Sequence, residues 1–159
     1  MSLPQIREQI KVILSGVPGI GVVHDYERLA ADWNKFLDLC KDANGRINAC
    51  MFRRGKMAKK TITIGQNKER IHVFVIRIIM GLNDAQATGI TFDDLLDAVE
   101  KVFDQYPTLN GTCRALFADW GPMAGLSGAQ LEISEDRIFA GVLCHYGEIH
   151  LAIVERNDL

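Results

Sequence analysis

This sequence predicts an α+β fold: a mixed, largely antiparallel β-sheet with two to three amphipathic helices packed on it. Three observations carry the prediction. The first is the stretch Arg70-Ile-His-Val-Phe-Val-Ile-Arg-Ile-Ile-Met-Gly-Leu82, rich in β-branched residues and free of proline. Alternation splits it into two mostly apolar faces, Ile71, Val73, Val75, Arg77 and Ile79 against His72, Phe74, Ile76, Ile78, Met80 and Leu82, so it reads as a central strand covered on both sides. The same length would fit a buried helix, but the density of Val and Ile argues for a strand. The second is another long stretch, Ile138 to Val154, its expected neighbour. The third is the order of elements, α-β-α-β-β-β-α-β-β-β, in which strands come in runs rather than alternating with helices.

Ser2-Leu-Pro-Gln5 is a helix start, with Ser2 as cap, Gln5 completing a capping box and Pro4 in the first turn. Ile6, Ile10, Ile13, Leu14 and Val17 form the apolar stripe, and Gly16 with Pro18-Gly19 ends the helix. Residues 20–26 read as a short strand. Leu29, Trp33, Phe36, Leu37 and Cys40 mark a second amphipathic helix, with Asp32, Lys35, Asp38 and Lys41 on its polar side. Asp42-Ala-Asn-Gly45 is a turn. Residues 46–53 and 61–64 read as strands, joined by a basic stretch 53–60 that forms a flexible hairpin tip. Residues 65–68 turn the chain into the central strand. Thr91 caps a third helix whose first-turn acids suit the helix dipole, and Phe92, Leu95, Leu96, Val99, Phe103 and Tyr106 are its apolar face. Pro107 marks its end. Residues 110–117 and 129–133 are expected strands, 121–125 a loop with an apolar tip, and Asp136-Arg137 the turn into the final strand. Gly141 and Gly147 suggest a bulge or bend there.

The chain of 159 residues suits one domain, and 48% hydrophobic with 24% charged residues is ordinary for a globular protein. A formal net charge of −2 argues against a molecule built as a whole to hold nucleic acid or an anionic membrane. No apolar run reaches membrane-spanning length, and the N-terminal segment lacks a signal-peptide pattern, so cytoplasmic synthesis is expected. Cys40, Cys50, Cys113 and Cys144 form no C-x-x-C pair and lie in apolar runs, which reads as buried reduced thiols.

No motif nominates a catalytic centre. The histidines, His24, His72, His145 and His150, have neither H-E-x-x-H nor zinc-finger spacing, so no metal or cofactor is expected. In His24-Asp-Tyr-Glu27, Asp25 is placed to cap the following helix and Glu27 to serve its first turn. Arg77 in the apolar central strand needs a partner; a carboxylate such as Glu148 would serve, or an acid from a neighbouring subunit. The strongest local charge is Arg53, Arg54, Lys56, Lys59 and Lys60, five cations in a net-acidic chain. No aromatic residue interleaves with them, so contact with a protein is favoured over direct nucleic-acid binding.

The segments Ile20-Gly-Val-Val-His-Asp-Tyr-Glu-Arg28, Trp33-Asn-Lys-Phe-Leu37, Arg46-Ile-Asn48, His72-Val-Phe-Val-Ile-Arg77 and Gly141-Val-Leu-Cys-His-Tyr146 resemble a group of small proteins of tailed phages and prophages, the tail-completion or tail-terminator proteins. The resemblance implies a structural virion protein with a helix-covered sheet, assembled as a six-subunit ring. Such a ring caps the tail tube, stops its polymerisation and presents a surface to the head connector. It brings no catalytic residues with it. Carried over, the basic stretch with Arg53, Arg54, Lys56, Lys59 and Lys60 would order against the tube or a neighbouring subunit. If such a ring forms, Arg77, which could meet an acid from a neighbour, and Met123 and Leu126 in the apolar loop are subunit-interface candidates. Two other classes stay open: a small hydrolytic or metal-dependent enzyme using His24, Asp25, Glu148 and the other histidines, and a nucleic-acid-binding module using the basic hairpin.

Overall fold

The computed structural model describes residues 2–64 and 67–157. Three helices, α1 (Leu3–Ser15), α2 (Trp33–Cys40) and α3 (Thr88–Val102), accompany five strands: β1 (Val22–His24), β2 (Asn48–Thr61), β3 (Lys68–Gly81), β4 (Ala129–Phe139) and β5 (Val142–Asn157). The strands form one mixed sheet of order β1-β2-β3-β5-β4, parallel only between β1 and β2. The fold is the α+β class expected, and β3 is its central strand.

Each face of β3 buries differently. Phe74, Ile76, Ile78 and Met80 lie under α1 and α3, against Ile6, Ile10, Leu14, Phe92, Leu96 and Val99. Gly147 on β5 lets α3 come close, since a Cβ there would sit 2.5 Å from Leu96 Cδ2. The opposite face is covered only in part. At one end Phe36 and Cys40 of α2 pack over Ala49, Met51, Ile79 and Tyr146. At the other end the segment 113–123 brings Ala118, Trp120 and Met123 onto Ile71, Ala152 and Val154. Between those two patches runs a polar strip that includes Arg53, Arg77, Glu148 and His150.

Several sequence expectations shift for identifiable reasons. α2 begins at Trp33, because the Asp32 side chain accepts the Lys35 N–H at 3.1 Å and acts as the cap. Asp25 therefore does not cap it, and Leu29 lies outside it. α3 begins three residues before Thr91, leaving left-handed Ala87, so its acids fall outside the first turn. The strand expected at 110–117 does not form. Leu109, Asn110 and Gly111 all have positive φ, which breaks an extended path, and only the bridges Ala115–Val154 and Phe117–Ser127 remain. Asp136 and Arg137 lie within β4; the turn is Ala140-Gly141, with φ of 50° and 82°. Asp136 bonds His145 across the strands and Arg137 stacks over Tyr146, so both polar residues are held in the ladder.

The largest correction concerns the basic hairpin. Residues 53–60 are no tip: β2 continues through them, paired with β3 as far as Thr61–Lys68. The turn comes after Thr61, where the Ile62 N–H donates to the Asn67 carbonyl. Gly65 and Gln66 of the expected turn at 65–68 lie outside the described residues. The strand persists because β3 supplies a continuous ladder partner for it as far as Lys68, while most of its side chains stay exposed.

Candidate functional site

β2 changes character along its length. Ala49, Cys50, Met51 and Phe52 are fully buried. From Arg53 to Thr61 every residue is exposed except half-buried Ala58. β1 covers only Ala49 to Met51, so beyond them the outer side of β2 has no strand partner among the described residues. The result is an open strand edge carrying five cations and no acid. Lysine and arginine on an exposed edge discourage indiscriminate pairing while leaving the backbone available to a complementary partner.

A bulge at Gly55 sets the direction of these side chains. A Cβ there would lie 3.0 Å from Val75 Cγ2, so glycine lets the backbone crowd β3. The register jumps from Arg54–Phe74 to Lys56–Val73. Arg53, Lys56 and Lys60 therefore share one face, Arg54 and Lys59 the other. Three of the five have local contacts. Arg53 Nε donates to Glu27 Oε1 at 2.9 Å, Arg54 Nη1 lies 3.4 Å from His72 Nδ1, and Lys60 Nζ sits 4.9 Å above the Trp120 ring. Lys56 and Lys59 have no ionic or hydrogen-bonding partner among the described residues, and both are exposed.

The polar strip beside this edge is an internally committed network. Arg77 stands opposite Glu148 in the β3–β5 register, but its nearest carboxylate is Glu27: Nε and Oε1 are 3.2 Å apart. That approach lacks hydrogen-bond alignment, so it is a contact of charge. Glu27 thus bridges Arg77 and Arg53 rather than serving a helix turn. Glu148 instead accepts from the Tyr146 hydroxyl and contacts His150 Nε2, each at 2.8 Å. Burial disfavours its charge, but those hydrogen bonds and the charges of His150 and Arg77 prevail and hold it below the usual carboxylate range. Burial, helped by Glu148, pushes the Tyr146 phenol up to about 12.

Sequence reasoning missed two further groups. Glu69, 7% exposed, receives Arg114 Nη1 at 2.6 Å, Trp120 Nε1 at 2.7 Å and Arg156 Nη2 at 3.2 Å. It pins the segment 113–123 to the sheet. Its burial raises its pKa, yet the bonds from Trp120 and Arg156 and the charges of Arg114 and Arg156 lower it more. The second group is Thr88–His145–Asp136. Thr88 Oγ1 is 2.8 Å from His145 Nε2, and His145 Nδ1 is 3.0 Å from Asp136 Oδ1. A hydroxyl, an imidazole and a carboxylate in that order can make a nucleophile. Here, however, Thr88 Oγ1 also accepts the Asn83 N–H at 2.8 Å and lies 3.2 Å from the Asn83 carbonyl, so the hydroxyl closes the turn into α3. Thr88 lines an open cavity of about 490 Å³ between Trp33, Arg46, Asn48 and Leu82. No local sequence signal pairs these residues, because Thr88 and His145 meet only through the fold.

The histidines do not converge. His24 bonds the Leu39 carbonyl at 2.7 Å, His72 faces Glu155 at 2.6 Å, His145 faces Asp136, and His150 faces Glu148. Among the described residues, no group of three His, Cys, Asp or Glu side chains is placed to hold a metal ion. All four cysteines are buried free thiols; burial pushes Cys50 and Cys113 up to about 12 and Cys40 and Cys144 to about 11. Met123 turns inward onto the Ile71 cluster, whereas Leu126 is 46% exposed. Among the described residues no helix is long and apolar enough to cross a membrane.

No protein-family model matches the chain, and a search of curated proteins finds no significant match.

Proposed function

We propose that this chain is a structural protein of a phage or prophage tail, one that closes as a ring of six copies on the end of the tail tube and joins it to the head connector. The reading starts from the sequence segments that resemble tail-completion proteins. The observation that carries it further is the open cationic edge of β2, Arg53 to Thr61. An unpaired strand edge binds a partner through main-chain hydrogen bonds, and its cations select an acidic partner surface. Arg53, Arg54, Lys56, Lys59 and Lys60 are the proposed contacts to the tube or a neighbouring subunit. Arg77, through Glu27, holds Arg53 in place beside them, and exposed Leu126 is a further interface candidate. On this reading the protein is made in the host cytoplasm and ends in the virion tail.

A second reading, a small hydrolase, rests on Thr88, His145 and Asp136 beside the cavity. The committed Thr88 hydroxyl weighs against it. Native mass spectrometry over a concentration series, with and without tail tubes, separates the two. The tail reading expects a discrete hexamer, at the latest when tubes are present. A protein that stays monomeric in both conditions contradicts it, and Thr88-dependent ester hydrolysis by that monomer would favour the hydrolase.

A further inference from the structure

We propose that copies of this chain join head to tail through two strand edges, with the outer edge of β2 in one copy lying antiparallel to the outer edge of β4 in the next. This rests on the ring reading above and names the contact that builds the ring.

The sheet has two open borders among the described residues. One is β2 from Arg53 onward. The other is β4, which pairs with β5 on one side and makes no backbone hydrogen bond on its outer side. Their charges are opposite. The β2 edge carries five cations and no acid; β4 carries Glu132, Glu135 and Asp136 against the single Arg137, a net charge of −2. Two β2 edges brought together by a two-fold axis would oppose cation to cation, so charge disfavours the symmetric dimer and favours the heterologous contact. β4 also exposes Leu131 at 49% and Ile138 at 71%. The aliphatic stems of Lys and Arg, with half-exposed Met57, can cover such residues when strands meet.

Strand direction agrees. β2, β3, β5 and β4 each run opposite to the next, so β4 opposes β2, and continuing the sheet from one copy into another makes an antiparallel pair. The register also predicts an offset. Ser134, the middle of β4, is level through Gly147 with Ile78, whereas Ala58, near the middle of the open β2 edge, is level with Ile71. Neighbours are thus displaced by seven residues along the strand, about 23 Å at ~3.3 Å per residue. A ring closes over such an offset only when its strands are inclined to the ring axis, as in a barrel.

The test is a charge swap read by native mass spectrometry and sedimentation. One variant reverses the β2 edge from five positive charges to a net −1, with Lys56→Glu, Lys59→Glu and Lys60→Glu together; the other reverses β4 from −2 to +2, with Glu132→Lys and Glu135→Lys. The five positions are exposed, and circular dichroism checks that each variant folds. Each variant alone is expected to need about tenfold more protein, or higher, for half-assembly than wild type, the equivalent of ~1.4 kcal/mol per contact. Mixed in equal amounts, the two variants restore assembly with alternating copies, because every junction then pairs opposite charges. Rings that form normally from either variant alone overturn the edge proposal and leave the ring reading standing. Single variants that fail and are not rescued by mixing also overturn it. Wild-type protein that assembles neither alone nor on tail tubes overturns the ring reading itself.

Discussion

At the scale of single residues, the chain spends its buried charge on anchoring. His72 has no exposed surface and contacts Glu155 at 2.6 Å. Burial lowers its pKa, and the charges of Arg70 and Arg54 add to this, outweighing the pull of Glu155. The sign for stability follows. Between its folded value and about 6.5, the unfolded chain binds the extra proton, so stability rises with pH there and falls on acidification. Glu69 and Glu148 are both held below the usual carboxylate value, so the stability they contribute is lost at lower pH, as acidification passes from that usual value through their folded ones. Thermal melts should therefore show loss beginning near pH 6.5 and steepening below pH 5. His72→Gln should flatten the upper part of that profile and leave the lower part in place. Glu69→Gln should cost about 1–3 kcal/mol in urea denaturation at pH 7, since it strips the charge facing Arg114 and Arg156. None of these partnerships was legible in the sequence: Glu69 and Arg114 lie 45 positions apart, His72 and Glu155 83. Arg77 has the carboxylate partner its position demands, but the nearest one is Glu27 rather than Glu148. Register does place Glu148 opposite it, but Glu27 reaches in from a coil segment that strand alternation cannot position.

At the scale of elements, hydrophobic periodicity located nearly every helix and strand, and local polar chemistry decided where each begins and ends. α1 follows its sequence signals closely: Ser2 caps it, accepting the Gln5 N–H, and Gly16 ends it. α2 starts elsewhere than expected because Asp32 supplies a competing cap, and α3 starts at Thr88 straight after left-handed Ala87, with no side-chain cap and the Thr88 hydroxyl tied back to Asn83. Asp32→Ala should destabilise the fold by about 1 kcal/mol, measured by denaturant titration. The β4–β5 turn gives a second check. Ala140 has a φ of 50° before Gly141 at 82°, the positive pair that Asn-Gly adopts readily and alanine resists. Ala140→Asn should raise stability by about 0.5–1 kcal/mol, seen as a Tm a few degrees higher. The turn was illegible because Asp136-Arg137 resembles turn chemistry better than Ala140-Gly141 does. Only the cross-strand contacts to His145 and Tyr146 explain why those residues stay extended. The basic stretch was legible as a cluster of charge but not as a strand, since its pairing depends on β3 rather than on its own composition.

At the scale of the whole molecule, charge is divided between the sheet's two borders while the net value stays near −2. On the proposed head-to-tail contact, a molecule so divided would attract its own copies in one relative orientation, and salt would screen that attraction with a Debye length of about 8 Å at physiological ionic strength. Assembly should therefore weaken between about 0.05 and 0.5 M NaCl at fixed protein concentration, as light scattering would record. An association that strengthens throughout that range would point instead to an apolar interface, with Leu126 and the neighbouring loop as the place to look.

The central proposal is that this protein closes the end of a tail tube. Electron microscopy of elongating tail tubes incubated with the purified protein tests it most directly. The account predicts a single ring at one end of each tube and arrested growth there, both lost with Lys56→Glu and Lys59→Glu. Tubes that keep growing with bare ends in the presence of excess wild-type protein would contradict it.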